Sequence, residues 1–223
     1  MKVQKRISKK QIKGDRLVST TFKATEYIQK NQTPFIVGSV VLIIILALVL
    51  LLRTSANRKN DEASAILSRG ELTAASGNVG QYVADLRTLA DDYQGTPAGK
   101  VAAVRLASNY FYQKQYDDAK RYFQLILDHY ADDNLLSAGA SAGLGAVYEL
   151  QGQYLDAAKS YRRAVEFTPD EIWTPDYLLK AGQNFAKAGD KVSAEEAFGE
   201  IEKKFANSAD ASTARRALAA LKY

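Results

Sequence analysis

The larger, C-terminal part of this chain repeats one pattern of small and aromatic residues about every 38 positions. The segment LASNYFYQKQYDDAKRYFQLI, at 106–126, aligns without a gap on LGAVYELQGQYLDAAKSYRRA, at 144–164. A third copy, AGQNFAKAGDKVSAEEAFGEI, follows 37 residues later at 181–201. A period of this length, with helical spacing inside each copy, predicts stacked helical hairpins and an all-α fold.

Each copy has a small residue followed by a ring on its first helix, and an alanine followed by a ring on its second. A small residue lets the partner helix approach closely, and the rings fill the space beside it. Pro169 closes the middle copy. The residues predicted to pack the hairpins are Leu106, Ala107, Tyr110, Ala119 and Phe123, then Leu144, Gly145, Tyr148, Ala157 and Tyr161, and then Gly182, Phe185, Ala194 and Phe198.

Turn and capping residues divide the copies from one another. Gly152 and Gly189 interrupt the helical pattern inside two hairpins, while Thr96-Pro97 and Thr174-Pro175 each predict a helix N-cap followed by proline in the first turn. The predicted domain covers 53–223. Its parts are a partial repeat at about 60–98, repeats at 99–135, 136–173 and 174–207, and a capping helix at 208–221.

The motif LGxxY, followed by an alanine and an aromatic residue in the second helix and closed by Pro169, resembles the tetratricopeptide family. The middle copy carries this motif most completely, because the first copy lacks the closing proline and the third has Phe185 in place of tyrosine. The resemblance implies a solenoid of helical hairpins that binds other proteins. It implies neither a cofactor nor a small-molecule substrate.

A curved stack of hairpins presents a concave surface lined by its first helices, and such surfaces bind peptides or helices of partner proteins. The lining lacks clustered Lys, Arg and Asn, so the two-carboxylate clamp of some tetratricopeptide co-chaperones is not expected. An apolar or unfolded segment is the predicted ligand. At least one of the neighbouring rings at 111 and 112 is expected to pack in the core. The predicted groove residues are Val104, Ser108, Phe111, Tyr112, Ala146, Glu149, Gln183 and Lys187.

Residues 34–52 read PFIVGSVVLIIILALVLLL and carry no charge. A helix of this length spans about 28 Å, which matches the hydrocarbon layer of a bilayer, so a transmembrane helix is predicted. The segment is apolar on every face, which argues against the buried helix of a soluble domain. A cleaved signal peptide is the other alternative, but the 33-residue tail and the long apolar run favour an uncleaved anchor.

The first 33 residues carry nine Lys or Arg against two acidic residues, whereas the rest of the chain has 21 basic and 23 acidic residues. A short basic tail resists translocation, and a long domain translocates largely regardless of its charge. The tail is therefore predicted to be cytoplasmic and the domain to be outside, in the periplasm of a bacterium. The nearly neutral domain is not expected to bind nucleic acid.

Within the tail, apolar residues recur at helical spacing between 17 and 28. This pattern predicts a short amphipathic helix on the membrane surface, and a docking arm for a partner is the alternative. Its apolar face would consist of Leu17, Val18, Thr21, Phe22, Thr25 and Ile28.

Residues with catalytic or metal-binding chemistry are few. The chain has no cysteine and a single histidine, His129, which falls at the end of a repeat helix where a surface position is expected. The acidic doublets fall on helix ends and polar faces, where solvated charge is expected. The glycines of GASAGLGAVY, at 139–148, follow no strand and precede no Lys-Ser/Thr, so they do not predict a phosphate-binding loop. Neither an enzyme nor a metal site is predicted.

The order of parts, with a basic tail, one span and then helical hairpins, resembles the YfgM-like family of ancillary SecYEG translocon subunits of the bacterial inner membrane. This resemblance implies an accessory that associates with the translocon and a membrane-anchored periplasmic foldase, and that assists emerging proteins in a chaperone-like role. A scaffold for envelope or cell-division assembly is an alternative. A subunit of an enzyme or transporter complex is a remote alternative, because one span forms no pore and no catalytic set converges.

Overall fold

The structure is a computed structural model that describes Glu26, Tyr27, Lys30 and residues 32–221. The amphipathic helix predicted at 17–28 lies outside the described residues, apart from Glu26 and Tyr27. Residues 32–221 form nine α-helices and contain no strand. The helices are α1 Gln32–Ala75, α2 Val79–Asp92, α3 Pro97–Tyr112, α4 Tyr116–His129, α5 Asn134–Leu150, α6 Tyr154–Phe167, α7 Thr174–Lys187, α8 Lys191–Lys204 and α9 Ala211–Leu221.

The chain divides into two compact units, of which the first ends at Asn57 and the second begins at Arg58. In the first unit, every side chain described between 36 and 52 is exposed. The apolar stretch of α1 is therefore not the buried core helix of a soluble domain. Among the described residues, α1 is the one helix long and apolar enough to cross a membrane, with a mean hydropathy of 3.0 over its most apolar 18 residues.

The second unit is a row of helical hairpins. Consecutive helices from α2 to α9 pack against each other, and α7 also contacts α9. The hairpins α3–α4, α5–α6 and α7–α8 begin at Pro97, Asn134 and Thr174. The first two therefore start two residues before the repeat boundaries predicted at 99 and 136. The C-terminal helix α9 begins at Ala211 and packs on α8 and α7.

Two clusters of buried side chains form the core of this unit. The first runs from Ala63 to Val147 and includes the fully buried Leu106. The second runs from Ala157 to Ala214 and includes the fully buried Leu178. Helix α5 contributes to both, because its Leu144 and Val147 lie in the first cluster while Ala142 and Ala146 pack against the second.

The N-cap predicted at Thr96 is confirmed. Its Oγ1 accepts a hydrogen bond of 3.0 Å from the backbone N–H of Gly99, and Pro97 is the first residue of α3. Such a bond satisfies one of the backbone donors that a helix N-terminus leaves unpaired.

The N-cap predicted at Thr174 is wrong. Thr174 is fully buried and its hydroxyl donates to the backbone carbonyl of Thr168, so it closes the loop that precedes α7. Trp173 occupies the cap position and makes no capping bond with its side chain.

The turns inside the three hairpins share one backbone feature. Gly152 and Gly189 have φ angles of 74° and 84°, in the left-handed region that glycine enters without steric cost. Lys114 holds the corresponding position in the first hairpin with φ of 60°, and it is the one residue other than glycine with positive φ among those described.

Candidate protein-binding site

The hairpins of the second unit are packed by rings that lie on glycines. A Cβ atom added to Gly182 would be 2.5 Å from Cε1 of Phe198, and one added to Gly145 would be 3.0 Å from the ring of Tyr161. Both rings are on the second helix of the same hairpin. A small residue is therefore needed on the first helix at these two positions, because the ring of the second helix fills the space of a side chain.

The first hairpin packs differently from the other two. The ring of Phe123 lies on Gly143 of the following hairpin, where a Cβ atom would clash with it. Within the hairpin, Tyr122 stacks on Tyr110 with ring centroids 5.6 Å apart and planes 8° from parallel. Gly143 and Tyr122 were not among the packing residues that the repeat predicts.

Val104 and Ser108, two of the predicted groove residues, line one cavity. The cavity has a volume of about 450 Å³ and lies between α3, α4 and the first turns of α5. Its other walls include Ile126, Leu135 and Leu136. The cavity is mainly apolar, so it is suited to a hydrophobic side chain of a partner.

Glu149 and Lys187 form an ion pair between the first helices of the second and third hairpins. The Lys187 Nζ to Glu149 Oε1 distance is 2.7 Å, and Lys187 Nζ also lies 5.3 Å from the ring centroid of Tyr154. The hydroxyl of Tyr161 donates to Glu149 over 3.4 Å. These two predicted groove residues are therefore bonded to each other and link α5 to α7.

The ion pair affects the protonation of its surroundings. Burial alone would raise the pKa of Glu149. The hydrogen bond and charge of Lys187, with hydrogen bonds from Asn184 and Tyr161, outweigh burial and hold that pKa below its ordinary value. Burial raises the pKa of Tyr161, and the neighbouring Glu149 raises it further. At neutral pH the carboxylate is therefore ionised, and the phenol keeps the proton that it donates.

The last four predicted groove residues lie elsewhere. Phe111 packs against the first core and meets Tyr112 edge to face, with ring centroids 5.9 Å apart. Tyr112 is 82% exposed. Ala146 and Gln183 are partly buried on α5 and α7. The eight residues thus fall into separate groups along the first helices, and the cavity that Val104 and Ser108 line does not include the other six.

A second cavity, which the sequence did not predict, lies between the first turn of α5 and the loop at 168–173. Its volume is about 410 Å³, and its walls include Leu135, Phe167 and Trp173. The loop exposes two consecutive large apolar side chains, Ile172 at 80% and Trp173 at 54%. These two consecutive apolar residues in a short loop are the feature of the sequence that could have indicated the cavity. They lie outside the repeated positions, so comparison of the repeats does not find them.

The described part of the chain contains no group of three or more His, Asp or Glu side chains that could hold a metal ion. His129 is exposed in the last turn of α4. Asp91 and Asp117, each from an acidic doublet, form ion pairs with Arg121 and Lys120.

Comparison with known protein families identifies the repeats. Family models of the tetratricopeptide repeat match residues 101–170 and 176–208, which contain most of α3 to α8. The resemblance to that family is confirmed for these segments. These two segments therefore carry tetratricopeptide repeats, which generally bind other proteins, and α1 is long and apolar enough to cross a membrane.

One solved structure supports the same fold. The crystal structure of MamA is 17% identical and has a TM-score of 0.50 over 68% of this chain and 81% of that chain. That of PilW, a widely conserved type IV pilus biogenesis factor, is 19% identical and has a TM-score of 0.48 over 71% of this chain and 66% of that chain. The similarity to MamA concerns the fold alone. No curated protein matches the chain.

Proposed function

We propose that this protein is a non-enzymatic, membrane-anchored scaffold that binds segments of other proteins on the concave face of its tetratricopeptide repeats. The observation that carries the proposal is the joining of three repeat hairpins, from Pro97 to Lys204, to the apolar and exposed helix α1. The helix holds the scaffold at a bilayer, and the first helices α3, α5 and α7 form the binding face.

The ligand on that face is an apolar or unfolded segment of a partner. The cavity beside Val104 and Ser108 accepts a hydrophobic side chain, and Tyr112 offers an exposed ring further along α3. Lys187 and Glu149 neutralise each other, so the middle of the face has little net charge. It would therefore not attract a ligand through the ligand's carboxylates.

Site-specific photo-cross-linking tests the face. A photoreactive amino acid is placed at Tyr112 or Gln183 on the first helices, and at the exposed Lys159 or Glu195 on the second helices as matched controls. Adducts with partner proteins are expected at the first pair. Adducts at the second pair alone would assign binding to the opposite face and refute the groove.

We propose that the basic tail is cytoplasmic and the repeat domain periplasmic, on the support of the charge distribution around the span. The absence of cysteine makes single-cysteine labelling clean. In spheroplasts, the Ser212→Cys variant should react with a membrane-impermeant maleimide, and the Ser8→Cys variant should react only after lysis. The reverse pattern would place the domain in the cytoplasm.

The partner complex that we propose is the SecYEG translocon with a membrane-anchored foldase, which the order of tail, span and hairpins supports. Affinity purification from gently solubilised membranes tests this role. Recovery of translocon components is the expected result. Recovery of envelope-assembly or cell-division proteins without translocon would favour the alternative scaffold, and recovery of an enzyme or transporter complex would favour the remote one.

A further inference from the structure

The loop beside the second cavity holds two large apolar side chains, Ile172 and Trp173, that neither capping nor core packing uses. Trp173 is at the N-cap of α7, where Ser, Thr, Asp and Asn are preferred because they bond to the free backbone N–H groups. Its side chain makes no such bond. Neither Trp173 nor Ile172 belongs to either core cluster. A large apolar pair in this loop is therefore not explained by capping or by core packing.

Leu135 connects this cavity to the one that Val104 and Ser108 line. It is 60% exposed in the first turn of α5, and it forms part of the wall of both cavities. The apolar surface is therefore continuous from Val104, through Leu135, to Trp173. An extended segment with two or three large side chains would cover it, whereas a single side chain would not.

The edge of the Trp173 cavity is acidic. Asp170 and Glu171 belong to its wall and are exposed, and neither forms an ion pair with any residue that the structure describes. Asp133, in the wall of the neighbouring cavity, is paired with Lys100 at 3.3 Å. Two unpaired carboxylates beside an apolar surface favour a ligand with positive charge next to its apolar residues.

We propose that the surface formed by Leu135 and Trp173 is a second docking site, which binds a short segment of another protein that has large apolar side chains flanked by Lys or Arg. The site lies on the loop between two hairpins and on the first turn of α5. It shares Leu135 with the cavity that Val104 lines. Trp173, Asp170 and Glu171 do not line that cavity. Trp173 fluorescence and changes at Asp170 and Glu171 therefore report on this site separately from the groove.

The chain contains one tryptophan, and it lies in this site, so intrinsic fluorescence reports on the proposed binding directly. The probe is a synthetic peptide, Lys-Lys-Leu-Phe-Leu-Lys-Lys, titrated into the full chain in nanodiscs of zwitterionic lipid. A saturable blue shift of the Trp173 emission is expected, because the peptide removes water from the indole ring. A peptide with Glu in place of Lys should bind about tenfold more weakly, and one with Ser in place of Leu and Phe should produce no shift.

Two leucines on the same helix give a matched pair of variants. Leu135→Ser changes the proposed site, whereas Leu150→Ser changes a leucine that is equally exposed, at 58%, at the other end of α5. Leu135→Ser should weaken binding of the cationic peptide about tenfold or more, and Leu150→Ser should leave it unchanged. The double variant Asp170→Asn with Glu171→Gln should bind the Lys and Glu peptides equally.

Four results would overturn the proposal. These are the lack of any saturable shift, equal binding of the Lys and Glu peptides by the unaltered chain, equal losses in both leucine variants, and a shift that depends on the concentration of the protein alone. The last result would identify a second copy of this chain as the occupant.

Discussion

The ring of Phe198 lies directly on the backbone of Gly182, so that a Cβ atom at Gly182 would be 2.5 Å from Phe198 Cε1. Phe198 is 1% exposed, so its ring is enclosed in the core. This contact fixes how closely α7 and α8 approach. It also makes the repeat sensitive at one position to the addition of a single methyl group.

Gly182→Ala should therefore lower the free energy of unfolding by about 1–3 kcal/mol, because the added methyl group overpacks the contact with Phe198. Gly199→Ala is the matched control, since Gly199 lies inside α8 with no atom within 4 Å of an added Cβ. That variant should be stabilised by about 0.5–1 kcal/mol through the better helix propensity of alanine. Urea unfolding of the full chain in detergent micelles, followed by circular dichroism, compares the two. A Gly182→Ala variant as stable as the unaltered chain would contradict the contact.

Lys114→Gly should stabilise the first hairpin by about 0.5–1 kcal/mol, because it removes the steric cost of a side chain in the left-handed region. The position corresponds to Gly152 and Gly189 in the next two hairpins. The opposite change, Gly152→Ala, should destabilise the chain by about 1 kcal/mol, although its Cβ meets no neighbour within 4 Å. Thermal unfolding of both variants would measure the effect. Shifts of the same sign in the two variants would contradict the backbone explanation.

Lys187→Met should lower the free energy of unfolding by about 0.5 kcal/mol at neutral pH, a small effect because Lys187 is 47% exposed and solvent screens its charge. The pKa of Glu149 is depressed below its ordinary value of 4.5, so its ion pair stabilises the fold above that pH. The stabilisation is lost as the pH falls from 4.5 through the depressed pKa.

The difference between Lys187→Met and the unaltered chain should therefore disappear in acid. Unfolding experiments over a series of pH values would show it. Lys191→Met is the control, because Lys191 is exposed and forms no ion pair within residues 32–221. A pH-independent loss in the Lys187 variant would indicate lost packing instead of lost charge.

Thr96→Ala should destabilise the chain by about 1 kcal/mol, because it removes the cap bond to Gly99. Thr88→Ala provides the comparison. Thr88 is exposed inside α2 and bonds back to the Ala84 carbonyl, so alanine there should be neutral or slightly stabilising. Chemical denaturation of the two variants tests the cap, and equal effects would argue against it.

The sequence predicts the hairpins well because their packing repeats. Gly145 and Gly182, with Tyr161 and Phe198, fall at matching positions, so comparing the chain with itself finds them. Gly143 was missed because Arg105 and Lys180 occupy its place in the other copies. Its contact with Phe123 joins two hairpins and occurs once, so no repetition marks it.

The loop before α7 shows a second limit of the sequence. The Thr174-Pro175 pair matches Thr96-Pro97 in letters, but the loop at 168–173 turns the Thr174 hydroxyl inward to the Thr168 carbonyl. The cavity beside Trp173 depends on the same loop meeting the start of α5. A contact between segments that are distant in the sequence is tertiary structure, so a local sequence pattern does not predict it.

Helix α5 contributes Val147 to the first core cluster, and its Ala146 packs against the second. This shared packing affects how the row of hairpins unfolds. Repeat arrays can fray one unit at a time, since each unit contacts only its neighbours. Here both core clusters include side chains of α5, so unfolding of α5 removes packing contacts from both clusters at once. The array is therefore expected to lose its structure in a single concerted transition.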